Sequence, residues 1–180
     1  MRQKAAYARC TPESALDVCL SYRPEVLVLD AEPLLIDWQV PDGHWHVSLA
    51  DLVSRARAGG VRTLLVVTNS RRAFPGLDRA LTGNLITRAW KPWTSRRRLN
   101  LMHNGAPGVV CGDVALTDGL LAVRLGYTFV HLQVADRPLY PRVQDRIGHW
   151  LTRRAFAHDS SRAPGRPDGD DRGLRRDEGG

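Results

Sequence analysis

Short runs of aliphatic residues alternate with amphipathic segments along most of this chain. Val26–Leu29 and Leu64–Val67 are uninterrupted apolar runs, the pattern of strands that are buried on both faces. Residues 12–22 begin within the Thr-Pro-Glu start of a helix, and residues 48–58 are followed by a Gly-Gly pair that ends one. Both segments carry apolar residues at helical spacing. The same criteria predict further elements, in chain order: a helix at 73–82, a strand at 85–86, a helix opening at Thr94, a strand at 108–111, a helix at 113–125, a strand at 127–130 and a helix at 141–156.

The alternation of strands and helices predicts the fold class. Repeated βα units of this length form a parallel sheet that is covered by helices on both faces. We therefore expect an α/β, Rossmann-like three-layer sandwich with a parallel sheet of about five strands. No internal repeat and no second domain is visible in the sequence.

Composition favours a single soluble domain. The chain has 180 residues, of which 43% are hydrophobic and 25% are charged, as in ordinary globular proteins. The apolar runs are too short to span a bilayer, and the basic N-terminus lacks the apolar stretch of a signal peptide. Three cysteines without metal-ligand spacing favour a reducing compartment, so we expect a cytoplasmic protein.

The charge is distributed unevenly along the chain. Residues 158–180 contain five Arg, six Asp or Glu and a single Leu, which predicts a disordered charged tail because so little can be buried. The formal charge of the whole chain is +7 and that of the tail is −1, so residues 1–157 carry +8. This predicted folded domain should attract anions, and phosphate esters, nucleic acid and anionic lipid surfaces all fit that sign.

Polar residues cluster where the predicted strands end. Functional groups gather beyond the carboxyl ends of strands in an open parallel sheet. The residues at these positions are Asp30, Glu32, Thr68, Asn69, Lys91, Asp113 and Asp118. Carboxylates bind Mg²⁺, and a hydroxyl with an ammonium group holds phosphate oxygens. Each residue alone more often caps the next helix, but together they predict a metal-dependent phosphate site.

Four motifs carry a resemblance to a known family. They are Val26–Glu32, Val66–Asn69, Ala89–Pro92 and Val109–Asp118. In this order they resemble the haloacid dehalogenase-like (HAD) superfamily of phosphatases, and within it the capless subclass IIIA with the YqeG-like proteins and the phosphatidylglycerophosphate phosphatases. The resemblance covers residues 12–150, and the Gly-Asp-x-x-x-Thr-Asp motif that ends at Asp118 is its most specific part.

The resemblance implies a phosphatase and a role for each residue. Asp30 would be the nucleophile that takes the phosphoryl group as an aspartyl-phosphate, and Glu32 would stand at the position of the general acid and base. Thr68, Asn69 and Lys91 would bind the phosphate oxygens.

The cofactor that the resemblance implies is Mg²⁺. Its ligands would be Asp30, the backbone carbonyl of Glu32, Asp113 and Asp118, although Asp118 would alternatively orient Lys91. An anionic nucleophile has to approach an anionic phosphate, so a metal ion and an ammonium group are needed to offset the repulsion.

The first motif departs from the family pattern Asp-x-Asp-x-Thr. Here it reads Asp30-Ala31-Glu32-Pro33-Leu34. Glu32 keeps a carboxylic acid but adds a methylene, the threonine is lost, and Pro33 removes a backbone donor. A displacement of about 1 Å can cost a catalytic group roughly 10²-fold in rate. Two hypotheses therefore stay open: an active phosphatase, and a catalytically degenerate domain that binds a phosphorylated ligand or a protein partner.

The spacing of the motifs leaves no room for a cap domain. Asp30 and Thr68 are 38 residues apart and Thr68 and Lys91 are 23 apart, and each interval is used by a helix and a strand. An open site suits bulky phosphoesters, and the resemblance implies a phosphatidylglycerophosphate-type lipid. Arg71 and Arg72 would either contact an acidic group beside the phosphate or belong to a solvated helix start.

Other motifs give weaker indications. His44 and His46 offer a pair of metal ligands, but no third ligand is placed by the sequence. Residues 96–98 are three consecutive arginines, which we interpret as one turn of a solvated helix. The tryptophans are interpreted as core or rim anchors: Trp38, Trp45, Trp90, Trp93 and Trp150. Nucleic-acid binding would need aromatic and basic residues to alternate on one surface. The sequence does not show such a surface, so nucleic acid is not indicated as a partner.

Overall fold

A computed structural model describes most of the chain that carries the predicted motifs. The described residues are 6–36, 49–71, 74, 81, 84–101, 105–134, 147–148, 150 and 154–158. His44, His46, Arg72, Trp38 and Trp45 lie outside these residues, as do most of the helices predicted at 73–82 and 141–156.

One parallel sheet forms the centre of the fold. Its strands are β1 (Ala6–Cys10), β2 (Val26–Leu29), β3 (Thr63–Val67), β4 (Leu85–Ile86), β5 (Gly108–Gly112), β6 (Thr128–Leu132) and β7 (Ala157–His158). Their order across the sheet is β4-β3-β2-β5-β6-β1-β7, and every neighbouring pair is parallel.

Helices cover both faces of the sheet, which confirms the predicted three-layer α/β fold. Residues Leu27 and Leu29 of β2 belong to the core that includes residues of α1 (Ala15–Ser21) and α2 (Leu49–Ala58). Val26 and Val28 of the same strand face the other core, which includes α3 (Leu120–Leu125). Because alternate side chains of a strand point to opposite faces, a fully apolar strand is buried from both sides.

Two strands enlarge the sheet beyond the five that were predicted. β1 was missed because Arg9 occupies an exposed position within an otherwise buried strand, which hides the apolar pattern. β7 pairs with β1 through Ala6↔Ala157 and Tyr7↔His158. The described part of the chain thus extends to His158, the first residue of the predicted tail, and the rest of that segment lies outside the described residues.

The helix predicted to open at Thr94 is wrong. Residues 96–100 form turns rather than a helix, because the backbone bonds there do not keep one helical spacing. Leu99 bonds back to Ser95, whereas Leu101 bonds back five residues to Arg96. The arginines at 96–98 are therefore not a turn of solvated helix.

The order of the strands creates a crevice between β2 and β5. The chain runs from β2 outward to β3 and β4, and then returns to β5 on the other side of β2 before continuing to β6. Such a switch of direction opens a crevice outside the carboxyl ends of the two central strands, where ligands of α/β proteins bind. Within the described ranges, no helix has the length and apolar character needed to cross a membrane.

Candidate active site

Three aspartates meet at the crevice. Asp30 directly follows β2, Asp113 directly follows β5, and Asp118 lies in a π-helical turn at Ala115–Gly119. One carboxylate oxygen from each of them lies within 4.8 Å of the others. Because β2 and β5 are hydrogen-bonded neighbours, the topology of the sheet itself brings the first two together.

Lys91 lies between two of these carboxylates. Its Nζ atom is 2.6 Å from Asp30 Oδ2 and 2.7 Å from Asp118 Oδ1. The side chains of Lys91, Asp30 and Asp118 are only 3%, 11% and 1% exposed. Burial by itself would lower the pKa of Lys91, but the adjacent carboxylates of Asp118 and Asp30 outweigh it and raise the pKa. Lys91 is thus held in its charged form.

The site carries more negative than positive charge. The pKa of Asp30 is raised well above its usual value, because burial and repulsion from Asp118 and Asp113 outweigh the attraction of Lys91. Three ionised carboxylates and one ammonium group leave a deficit of positive charge in a buried place, and either protonation of Asp30 or a bound cation relieves it. Carboxylate oxygens are the ligands that a hard cation such as Mg²⁺ prefers. Asp30 and Asp113 are the residues that would hold it.

Asp118 is engaged by protein donors on both oxygens. Its Oδ1 atom accepts the bond from Lys91, and its Oδ2 atom accepts one from the backbone N–H of Val114 at 3.2 Å. This favours orientation of Lys91 over metal ligation as its role. The carboxylate also packs against Gly112, where a β-carbon would overlap it. The position of Asp118 therefore requires a glycine at 112, as in the Gly-Asp-x-x-x-Thr-Asp motif.

Asn69 fixes the backbone of Lys91. Its Oδ1 atom accepts a bond from Lys91 N at 2.6 Å, and its Nδ2 atom donates to Lys91 O at 3.2 Å. The side chain that is predicted from the sequence to bind phosphate thus also positions the lysine, and it lines the cavity as well. Thr68, by contrast, lies buried beside the cavity, and its hydroxyl oxygen accepts a bond from Ser70 N at 3.0 Å, which leaves the hydroxyl its own donor.

A chain of hydrogen bonds supports the backbone of Asp113 from behind. His131 Nε2 lies 3.0 Å from the Asp113 carbonyl oxygen, and His131 Nδ1 lies 2.9 Å from the Tyr7 hydroxyl. Arg9 Nε donates to the same hydroxyl at 3.0 Å. None of these three supporting residues was predicted from the sequence, because the contacts join strands that are far apart along the chain.

The polar side chains surround a small cavity. Its volume is about 120 Å³, enough for a phosphate group. The lining residues are Asp30, Glu32, Thr68, Asn69, Ser70, Lys91, Asp113, Val114 and Thr117. Glu32 is partly buried and shares the cavity with Asp30.

None of the protein-family models, curated proteins and solved structures compared with this chain matches it. The resemblance to the HAD phosphatases therefore rests on the sequence motifs alone.

The structure brings every site residue predicted from the sequence to this one place. All of the candidates except Asp118 line the cavity, and Asp118 is bonded to Lys91 just behind it. Arg71 lies in a neighbouring cleft. Arg96 is partly buried: it donates to the carbonyl of Leu125, at the end of α3, and its guanidinium lies 5.8 Å from the centre of the Tyr127 ring.

Proposed function

We propose that this protein is a Mg²⁺-dependent phosphomonoester hydrolase that acts through an aspartyl-phosphate on Asp30. The observation that carries the proposal is the buried contact of Lys91 with Asp30 and Asp118 beside Asp113. An ammonium group and a nucleophilic carboxylate are held together, and the surplus of carboxylates needs a cation. A purely structural ion pair would not require a third acid.

The residues would divide the reaction between them. An oxygen of Asp30 attacks phosphorus as the bond to the leaving-group oxygen breaks, and Glu32 donates a proton to that oxygen. Glu32 then takes a proton from water, which attacks the phosphorus and releases inorganic phosphate and free Asp30. Lys91 and the hydroxyl of Thr68 would bind the phosphate oxygens. Bound Mg²⁺ would offset the negative charge that gathers on phosphate and carboxylates.

A second function is favoured by Glu32. The methylene that it adds to the acid position could leave a domain that binds a phosphorylated ligand or a protein partner without turnover. The two functions predict the same binding and differ only in catalysis. For the active enzyme, bulky phosphoesters are the proposed substrates, and a phosphatidylglycerophosphate-type lipid at an anionic membrane surface is the one that the resemblance implies.

Hydrolysis of p-nitrophenyl phosphate with and without EDTA tests the proposal. We expect turnover that requires Mg²⁺ and is lost in Asp30→Asn, with Asp17→Asn as the control because Asp17 is an exposed surface residue that pairs with Arg55. Thermal unfolding should show that both variants fold. Absence of turnover with retained binding of a metal fluoride and Mg²⁺ would select the degenerate domain. Absence of both turnover and binding would exclude a phosphate site.

A further inference from the structure

A wide cleft opens beside the phosphate-sized cavity. Its volume is about 590 Å³, within the usual range of small-molecule sites. Its lining consists of Asn69, Arg71, Arg88, Trp90, Lys91 and Trp93. Asn69 and Lys91 line the smaller cavity as well. A ligand whose phosphate is held at Lys91 therefore has room to extend into the cleft.

The loop Arg88–Trp93 directs Lys91 inward and two indole rings outward. Lys91 is buried, whereas Trp90 and Trp93 are 70% and 74% exposed. Arg88 and Trp90 have φ angles of 49° and 60°, in the left-handed region that residues other than glycine seldom adopt. Such conformations persist only where surrounding contacts hold them, and they are common at ligand sites.

Contacts from three directions hold this loop. The backbone N–H of Arg88 donates to Ser70 O at 3.2 Å, and the guanidinium of Arg98 donates to the carbonyl of Arg88 at 2.8 Å. The guanidinium of Arg124 lies 5.5 Å from the centre of the Trp93 ring. The exposed rings are thus presented by a braced loop, which lowers the entropy that a ligand has to overcome on stacking against them.

We propose that the cleft binds the leaving group of the substrate and that the substrate is a nucleotide with a second phosphate, such as a nucleoside 3′,5′-bisphosphate. This inference rests on the proposed function, which puts the transferred phosphate at Lys91. Trp90 and Trp93 offer faces on which a base stacks. Arg71 and Arg88 offer planar guanidinium groups that bind the second phosphate. Water is consumed, and the products are inorganic phosphate and a nucleoside monophosphate.

A lipid surface fits the cleft less well. A lipid headgroup would satisfy the arginines but has no ring to stack on the indoles. Trp side chains also anchor proteins at membrane interfaces, and Trp90 and Trp93 are exposed enough to do so, although they line the cleft together with three cations. Membrane docking is therefore an outcome that the experiment must separate from nucleotide binding.

Binding is measured first, by calorimetry on Asp30→Asn protein with Mg²⁺ and adenosine 3′,5′-bisphosphate. We expect Trp90→Ala or Trp93→Ala to weaken binding by about 5- to 100-fold, and Arg88→Gln by about tenfold or more. Trp150→Ala is the matched control, because Trp150 is 54% exposed and carries the Arg154 guanidinium 4.6 Å from its ring centre, yet is not among the lining residues. Arg97→Gln is the control for the arginine, and both controls should bind as the parent protein does.

Ligand variation supplies the second arm. Glycerol phosphate lacks the ring, so replacement of either tryptophan should change its binding by less than about twofold. p-Nitrophenyl phosphate lacks the second anion, so Arg88→Gln should change its binding by less than about twofold. Equal effects on all three ligands would overturn the inference. The inference would also be overturned if Trp90→Ala or Trp93→Ala lost binding to anionic lipid vesicles but bound the nucleotide unchanged. The cleft would then be a membrane anchor.

Turnover separates this inference from the proposed function. If p-nitrophenyl phosphate is hydrolysed in a reaction that needs Mg²⁺ and Asp30, but the bisphosphate gains nothing in kcat/KM from Trp90 and Trp93, the phosphatase stands and the nucleotide subsite is wrong. If binding depends on the ring but no phosphoester is hydrolysed, the subsite stands and the phosphatase is wrong.

Discussion

His131 Nε2 donates a hydrogen bond to the carbonyl oxygen of Asp113 at 3.0 Å. A carbonyl can only accept, so Nε2 carries the hydrogen, and in a neutral imidazole Nδ1 is then the acceptor for the Tyr7 hydroxyl. The donors therefore run in one direction, from Arg9 through Tyr7 to the imidazole and on to the end of β5. A proposed metal ligand is thereby oriented through its backbone by residues that never reach the cavity.

Replacing His131 should weaken the binding of Mg²⁺. We expect His131→Ala to lower the affinity about 10- to 100-fold, the usual effect of losing a partner that orients a ligand. Titration calorimetry with Mg²⁺ measures this change. Tyr7→Phe is the graded variant, because it removes only the hydroxyl and leaves the bond to Asp113 in place, so its effect should be smaller. Unchanged affinity in both variants would contradict a positioning role for the imidazole.

Replacing Lys91 should destabilise the fold as well as stop turnover. In Lys91→Met, two buried carboxylates lose the cation that they share, and breaking a buried ion pair costs roughly 3–5 kcal/mol. The double variant Lys91→Met/Asp118→Asn should recover part of the free energy of unfolding, since one of the unpaired charges is gone. Urea denaturation measures the free energy of unfolding of the single and the double variant.

Added Mg²⁺ gives this prediction an internal check. A bound cation replaces part of the missing positive charge, so it should raise the melting temperature of Lys91→Met by more than that of the natural protein. An equal rise would mean that the ion binds elsewhere. No rise in either protein would remove the proposed metal site.

The positions of the site residues could be predicted from the sequence because of a general property of parallel sheets. Their carboxyl ends share one edge, so Asp30, Thr68 and Asp113 had to lie near one another once their strands were identified. The position of Lys91 was harder to predict, because the strand that precedes it consists of only two residues, Leu85–Ile86.

The sequence could not predict the long-range contacts that show what individual side chains do in the site. Asn69 follows a strand end and resembles a phosphate ligand, yet its amide bonds to the backbone of Lys91, 22 residues further on. Tyr7 and His131 are 124 residues apart, and no local pattern links them. The helix expected at Thr94 failed for a related reason: tertiary contacts of the arginines, including that of Arg98 with Arg88, override local propensity.

The role of Asn69 leads to a prediction about rate rather than affinity. Asn69→Ala removes both bonds to the backbone of Lys91, so the ammonium group should lose its fixed position. We expect kcat to fall about 10- to 100-fold, while Mg²⁺ affinity changes little because the amide touches neither proposed ligand. Steady-state kinetics and titration calorimetry separate the two. A loss confined to KM would instead show that Asn69 binds phosphate directly, as the sequence suggested.

Glu32 decides whether the proposed mechanism is complete. As the general acid and base, it must protonate the leaving-group oxygen and then activate water. Glu32→Gln should therefore reduce turnover by at least about 10²-fold while leaving Mg²⁺ and phosphate binding largely intact, because the ligand proposed there is the backbone carbonyl. Equal turnover in Glu32→Gln would remove the residue from the mechanism and leave only the nucleophile and the metal.

Glu32→Asp then tests how the site has adapted to the longer acid. The residues around it are fixed: Ala31, Leu34, Leu35 and Ile36 are buried, and Leu35 N donates to Ala31 O at 2.9 Å. The backbone cannot easily follow a shorter side chain, so we expect Glu32→Asp to lower kcat about 10- to 100-fold, with Mg²⁺ binding unchanged. An equal or higher kcat would show that the backbone keeps the shape suited to aspartate, and that Glu32 reaches the leaving group by folding its extra methylene.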